Sequence, residues 1–423
     1  MKKNRVIFSM LLVTVMLSIS LSGCKKNDSP AAFKLQTMTT GDIDLNAATA
    51  PSDVPVTPTI NAKFSTNVDE TTASSSNITL VQDYDNTDIN LNITVSGNTV
   101  TIVPTSPLGN GALYKLSFGA GLKDVNGQTI EPFDRSFTTT GTFIPSGQVA
   151  YWNFENNTDD QMGNYNPMSG GVIDVTYEAS HNAAAGMAAK FNGTTTLVEI
   201  PNGDQLMNTD DFSLSFWVKE DSTNKRDQFV LGLAGWHGFQ FEINNNGNGG
   251  LGDCKLAATY NLGDTATASQ DLWFNGAATG TTKDNGGWKG WTYAKDLTSN
   301  NGTGVNGLLA NKWANVVCVY NSATKVGTIY INGEKMKQQD FNLYGTDHPL
   351  YYATGLKYAG NPGNNILALG FIQSPENATI GDDWASYSNT SAGHFQGLMD
   401  DVSIYHKVLS ETEIQLMYNS GKP

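Results

Sequence analysis

Charge is scarce in this sequence. Only 15% of its 423 residues are Asp, Glu, Lys or Arg, and the acidic outnumber the basic by 40 to 25. The net charge of -15 excludes a nucleic-acid partner, since phosphate-backbone binding draws its affinity from Lys and Arg. Cysteine is limited to three and histidine to five scattered positions. No His-Glu-x-x-His helix and no Gly-x-Ser-x-Gly elbow occurs, so catalysis finds no foothold in a familiar motif. What is plentiful is glycine, at 43 residues, with abundant Thr and Asn. Runs such as "TVSGNTVTIVP" and "VGTIYINGE" alternate apolar and polar residues between turn formers, the pattern of short antiparallel strands. The expected class is all-β, and the length suits two domains.

The first residues read as an export signal. "MKKNR" is a short positive segment, "VIFSMLLVTVMLSISL" an apolar one, and small residues follow. The stretch ends in "LSGC", Leu21 to Cys24, which resembles the bacterial lipobox. That resemblance implies cleavage of residues 1–23, acylation of Cys24 and a membrane contact through the lipid alone, each buried CH₂ giving about 0.8 kcal/mol. Lys25 and Lys26 stand where an inner-membrane retention Asp commonly follows, so the implied location is the outer membrane or cell surface of a Gram-negative bacterium. Loss of Lys2, Lys3 and Arg5 leaves 22 basic against 40 acidic residues, a net of -18. Only Cys254 and Cys318 then remain. An oxidising compartment allows a disulfide, but "ANVVCVY" around Cys318 reads as a buried strand, and unpaired thiols are favoured.

Residues 24–49 are polar and weakly periodic and read as a tether. From about Val54 strands recur: "TINAKFS", "NTVTIVPTSPL", "LYKLSFG" and "DRSFTTT". Their order over residues 50–141 resembles the bacterial Ig-like domain of surface-layer proteins, which implies a β-sandwich acting as a spacer. A second set follows "GTFIPSGQ": "VAYWNFENNTDDQMGNYN", "AAKFNGTTTLVEIPNG", "TDDFSLSFWVKED", "NKWANVVCVYNSATKVGTIYINGEKM" and "HFQGLMDDVSIYHKVLSETEI". In that order, over residues 148–420, they resemble the laminin-G-like, concanavalin-A-like jelly-roll family. The residues agree with such a sandwich. Phe212, Leu214, Phe216 and Val218 share one strand face, Asn332-Gly333 is a type I′ hairpin pair, and Ser410 with Glu413 forms a capping box that opens one short C-terminal helix ending near Gly421. Between about 233 and 310 the strands are uncertain, and this stretch reads as an insertion.

That stretch holds the candidate binding residues. Trp236, His237, Trp273, Trp288, Trp291 and Tyr293 lie among glycines and polar residues, in segments such as "DNGGWKGWTYAKD". Sugar rings lay C–H groups flat on aromatic faces, and nearby amides and carboxylates satisfy their hydroxyls. The competing reading is a local core, since Trp is usually buried; it is favoured for Phe239 and Phe274, which alternate with polar neighbours in strand-like runs. For a metal, Asp160 and Asn164 with Gly163 match the family's Asp-x-x-Gly-Asn turn, and Asp400 matches the Asp that opens its last strand. Parity places Asp400 on the face of Val402 and Ile404. A carboxylate in a core needs pairing, hydrogen bonds or a metal, and hard oxygen ligands suit Ca²⁺. Capping of local amides is the equal alternative. "DYDNTD" and "GGLGDC" are too irregular for calcium loops and read as turns. The Glu-x-Asp-x-x-Glu strand of jelly-roll glucanases is missing, although folding could still bring two carboxylates together.

The sequence therefore predicts a lipid-anchored envelope protein: tether, Ig-like spacer, then a jelly roll that binds a polysaccharide or glycan, with structural calcium. A protein-binding adhesin or scaffold is the first alternative, and a cryptic glycanase the second.

Overall fold

A computed structural model describes residues 32–223, 226–244, 252–263, 266–277, 290–298, 304–361, 363, 365–389 and 392–423. Cys24, the export segment and Trp288 lie outside the described residues. Among those described, no helix is long and apolar enough to cross a membrane.

The protein is all-β, an Ig-like sandwich followed by a larger jelly-roll sandwich with one substantial helix at its end. In the first unit, a five-stranded sheet faces a four-stranded one. The strands Ile60–Phe64, Thr99–Pro104 and Leu113–Phe118 bury every second side chain, as alternation requires of sheets with one wet face. Phe64 and Phe118 meet edge to face, with ring centroids 5.9 Å apart. The unit begins earlier than the sequence suggested. Leu35–Thr40 pairs with Ile60–Phe64, and Phe33, Met38 and Leu45 join the core. The second half of the expected tether is thus part of the domain; its few apolar residues were too widely spaced to announce a strand.

Among the described residues, the second unit packs a nine-stranded front sheet against an eight-stranded back sheet, all antiparallel. At the centre of the front sheet lies Phe212–Glu220, between Ala314–Asn321 and Gln396–Tyr405. Phe212 and Phe216 reach across to Phe239 and Phe241 of the back sheet, with centroids 5.3 and 5.1 Å apart. The expected insertion is a large part of that back sheet. Phe239–Asn244, Asp253–Asn261 and Thr267–Phe274 form three consecutive strands, with Phe239 and Phe274 in the shared core. Cys254 and Cys318 are buried free thiols in the same core.

The C-terminal helix, Glu411–Gly421, starts with the expected box: Ser410 Oγ accepts from Glu413 N at 3.2 Å, and the Glu413 carboxylate accepts from Ser410 N at 2.8 Å. Ile414 and Met417 bury themselves on Val317, Val319, Tyr330 and Tyr405, on the outer face of the front sheet. The Ig-like core is continuous with this cluster. Ser420 Oγ accepts the Phe143 amide at 2.8 Å, and the Phe143 ring packs on Tyr84 at 4.9 Å. The helix is therefore the joint between the two units.

Candidate functional site

The expected aromatic cluster does not stay together. Strand parity alone would place Trp291 and Tyr293 on one face. A bulge intervenes: Trp291 stands opposite Gln339 but Tyr293 opposite Gln338, so Thr292 is the extra residue. Trp291 turns inward and is only 4% exposed, whereas Tyr293 turns out and is 39% exposed. Trp291 is no exposed plate. Its ring carries the Lys337 ammonium nitrogen 3.1 Å from its centroid, and burial pulls that amine down to about 7. Trp273 is also a structural ring, half-buried 6.0 Å from Trp291 and hydrogen-bonded through its side chain to Asp253.

Trp236 and His237 lie elsewhere, on a short helical turn, Gly235–His237, outside the back sheet. Trp236 is exposed and His237 half-buried. Beside Trp236, at 6.1 Å and tilted by 38°, stands Trp384, equally exposed and not foreseen from the sequence. The pair is held firmly. Ala234 and Gly235 both adopt left-handed φ, and a Cβ on Gly235 would come within 2.3 Å of Ile380. The Trp236 carbonyl accepts the Thr259 and Ser269 hydroxyls at 2.5 and 2.7 Å. On the other side, the fully buried Gln373 amide donates to the carbonyls of Ile380 and Ala385, both at 2.9 Å. Its oxygen accepts the amides of Thr379 and Ile380. One side chain thus cinches the loop that carries Trp384. Beneath it Phe229 packs 5.7 Å from Trp384, and His394 stacks on Phe371 at 3.9 Å. Burial there lowers the His394 imidazole to about 4.

Next to the pair, the outward side chains of the back sheet form an ionic row. Lys255 Nζ lies 2.6 Å from Glu242 and 3.0 Å from Asp271. Gln240 completes the row beneath Gly235, with its carbonyl oxygen buried and unpartnered among the described residues. Two exposed indoles beside the accessible Asp271 carboxylate and Lys255 ammonium, which the buried Glu242 and Gln240 support from beneath, can stack a sugar ring and exchange hydrogen bonds with its hydroxyls. The same row does not make a glycosidase pair, because Lys255 occupies the space between the two carboxylates that a scissile oxygen needs.

The expected calcium ligands do not converge. Both Asp160 oxygens are taken by backbone amides: Tyr151 and Met162 at 2.8 and 3.1 Å, Asn164 and Tyr165 at 2.9 Å each. Asn164 is exposed and enters through its backbone. Four N–H dipoles aimed at one carboxylate satisfy it and repel a cation. Asp400 is fully buried, but on the other face of its strand. It stands opposite Trp217, while Ser403 stands opposite Ser215, so two residues of the last strand, Asp401 and Val402, face Phe216 alone. Asp401 takes φ +48 in this bulge and shifts the parity by one. Val402 and Ile404 face the core and Asp400 faces outward, under the 180–182 turn.

There it meets two residues that sequence reasoning missed. His181, Asp400 and Asp401 are the one group of converging His, Cys, Asp or Glu side chains among the described residues that could hold a metal. His181 stacks on Trp217 at 4.0 Å; its Nδ1 lies 2.5 Å from the Gly421 carbonyl and its Nε2 3.3 Å from Asp401. Tyr151 donates to Asp401 at 2.6 Å, and Ser180 donates to Asp400. Burial, then the neighbouring Asp401 charge, pushes the Asp400 carboxyl far above the usual range. With nitrogen among its donors and its oxygens occupied, this cluster does not suit Ca²⁺. It ties the end of the C-terminal helix to the front sheet.

Residues 43–139 match the bacterial Ig-like domain family. No curated protein matches the chain. Among solved structures, the chain is similar to the binding domain of botulinum neurotoxin serotype D/C VPI 5993, at 16% identity over 65% of this chain and 52% of that one, with a TM-score of 0.38. It is likewise similar to domain 4 of AbnA, a GH43 extracellular arabinanase from Geobacillus stearothermophilus solved with arabinotriose, at 17% identity over 64% of this chain and 98% of that one, TM-score 0.38. The chain thus spans about half of the neurotoxin domain. At this level the likenesses carry no argument about what the protein binds.

Proposed function

We propose that this is a cell-envelope lipoprotein that binds carbohydrate through the outer face of its back sheet. The Ig-like unit holds that sandwich away from a membrane anchored at Cys24. One observation carries the reading: Trp236 and Trp384 stand side by side, both more than 40% exposed, on turns fixed by buried hydrogen bonds. Large rings kept in water on a rigid support mark a contact surface. The ligand is a neutral or weakly charged glycan, since the acidic chain disfavours polyanions. Each plate contributes about 0.5–1.5 kcal/mol by analogy with aromatic pairs, which gives the modest affinity of a capture protein.

The test is affinity electrophoresis of the soluble protein, from Lys25 onward, through gels holding xylan, mannan, starch or galactan. Retardation in at least one gel, lost in Trp236→Ala/Trp384→Ala with an unchanged circular-dichroism spectrum, supports the reading. Equal mobility of wild type and variant in every gel sinks it. The anchor is tested separately: Cys24→Ser should move the full-length protein from the detergent phase to the aqueous phase.

A further inference from the structure

The bulge that expels Tyr293 delivers it to a second polar groove, on the other side of the sandwich. This groove runs between the C-terminal helix and the edge of the front sheet, with a volume of about 510 Å³ around Tyr293. It continues past Gly333 and Gln415 into a neighbouring hollow of about 430 Å³ that ends at Tyr418 and Asn419. Gly333 makes the passage close: a Cβ there would lie 3.3 Å from Tyr418, and its φ of +75 belongs to the hairpin turn. The helix lines the groove with Glu411, Gln415 and Asn419, spaced i, i+4, i+8 on one exposed face about 12 Å long.

The charges in this groove are already committed. Lys335 pairs with Glu411 at 2.7 Å and Lys295 pairs with Glu334, so neither an anion nor a cation finds an open countercharge there. What remains on offer is the exposed Tyr293 phenol ring and the amides of Gln415 and Asn419, beside Thr292 and Gln338, whose hydroxyl and amide oxygen bond each other at 3.1 Å and leave the Gln338 amide nitrogen to donate. Apolar wall is confined to the second hollow, at Leu308, Ile331 and Met336, whereas the larger hollow around Tyr293 is mostly polar, and a solvated helix face would not need an edge strand bulged to place a ring beside it. The lining suits an uncharged, hydroxyl-rich chain.

We infer that this groove is a second saccharide site, and that the protein bridges two glycan chains. The inference rests on the carbohydrate reading above for its ligand class, but on different residues. The two sites lie on the outer faces of opposed sheets, so the thickness of the sandwich separates them and one short oligosaccharide cannot reach both. Two sites joined rigidly in one molecule link separate chains, and the gain appears as avidity on a polymer.

Calorimetric titration with neutral tetrasaccharides of xylose, mannose, glucose and galactose tests this, with three proteins: wild type, Trp236→Ala/Trp384→Ala and Tyr293→Ala/Gln415→Ala. The expected result is two sites in the wild type and one in each variant, with at least tenfold weaker binding at the altered site. Light scattering on mixing with the matching polysaccharide should rise for the wild type and for neither variant. A single wild-type site lost only in the tryptophan variant overturns the second site and leaves the first. A single site lost only in the Tyr293 variant keeps the groove, and overturns both the back-sheet reading and the bridge. No heat with any sugar overturns both sites. Gln415→Ala alone, on the exposed helix face, guards against a folding defect: it should weaken the groove site with an unchanged melting temperature.

Discussion

The two outer faces of the large sandwich are finished in opposite ways. On the front sheet the chain covers itself: Ile414 and Met417 seat the C-terminal helix, the Ig-like unit packs beyond it, and buried His181 with part-buried Asp401 grips the helix end. On the back sheet the covering loop is equally well fixed, by Gln373, but it leaves Trp236 and Trp384 in water. Stable packing explains the helix seat and the grip on its end, though not the exposed Tyr293 at the sheet's edge. It does not explain the second arrangement, because covering the roughly two-fifths of each ring still in water would have stabilised the protein by about 1 kcal/mol per ring. The contrast separates rings that hold the fold from rings that are kept for a partner.

Substitutions should break this contrast in order of size. The largest effect belongs to the front face. His181→Ala strips Asp401 of its buried partner and the Gly421 carbonyl of its donor; a loss of about 3 kcal/mol is expected in urea unfolding, with sugar binding kept.

A pH effect of similar size belongs to the back face. His394 is held near 4 in the folded state by burial, while the unfolded imidazole titrates near its ordinary value of about 6.5. The unfolded chain then binds more protons between those values, so stability falls as pH drops from about 6.5 to about 4, by roughly 3 kcal/mol. His394→Phe should flatten that part of the stability profile; an unchanged slope would remove His394 as its cause.

Smaller, and more telling, is Gly235→Ala. The new methyl meets Ile380 at a φ of +58, costing about 1–3 kcal/mol of stability. Because that turn carries Trp236, affinity for the gel polysaccharide should fall with it.

Smallest in stability is Trp384→Ala, expected within about 0.5 kcal/mol of wild type in unfolding. Its binding loss should nevertheless reach up to about tenfold, the free-energy scale of one aromatic contact. A change in stability larger than the change in binding would move Trp384 to the structural class.

Much of the fold was legible from strand periodicity. Phe212, Leu214, Phe216 and Val218 point inward as alternation demands, Asn332-Gly333 makes its hairpin turn, and Ser410 caps its helix. The back-sheet strands were obscured because glycine-rich loops break their run, although Phe239 and Phe274 were correctly read as core. The site was only half legible, and two bulges account for much of that. Thr292 and Asp401 each insert one residue into a period of two, which sent Trp291 inward and Asp400 outward. Nothing in a single sequence marks an Asp as the bulged residue. Trp384 is a different case. "GDDWASYSN" surrounds it with acidic and small residues, as "KDNGGWKGW" surrounds Trp288 and Trp291, so the same setting, a Trp among small and polar residues, could have found it. His181 gave no such signal, because its partners lie more than 200 residues away at the chain's end.

The most direct measurement is a crystal structure with the tightest-binding tetrasaccharide soaked in. The account predicts a sugar ring lying on the indole faces of Trp236 and Trp384, with hydroxyls turned toward the Glu242–Lys255–Asp271 row. Sugar bound elsewhere while those two indoles remain bare would contradict it.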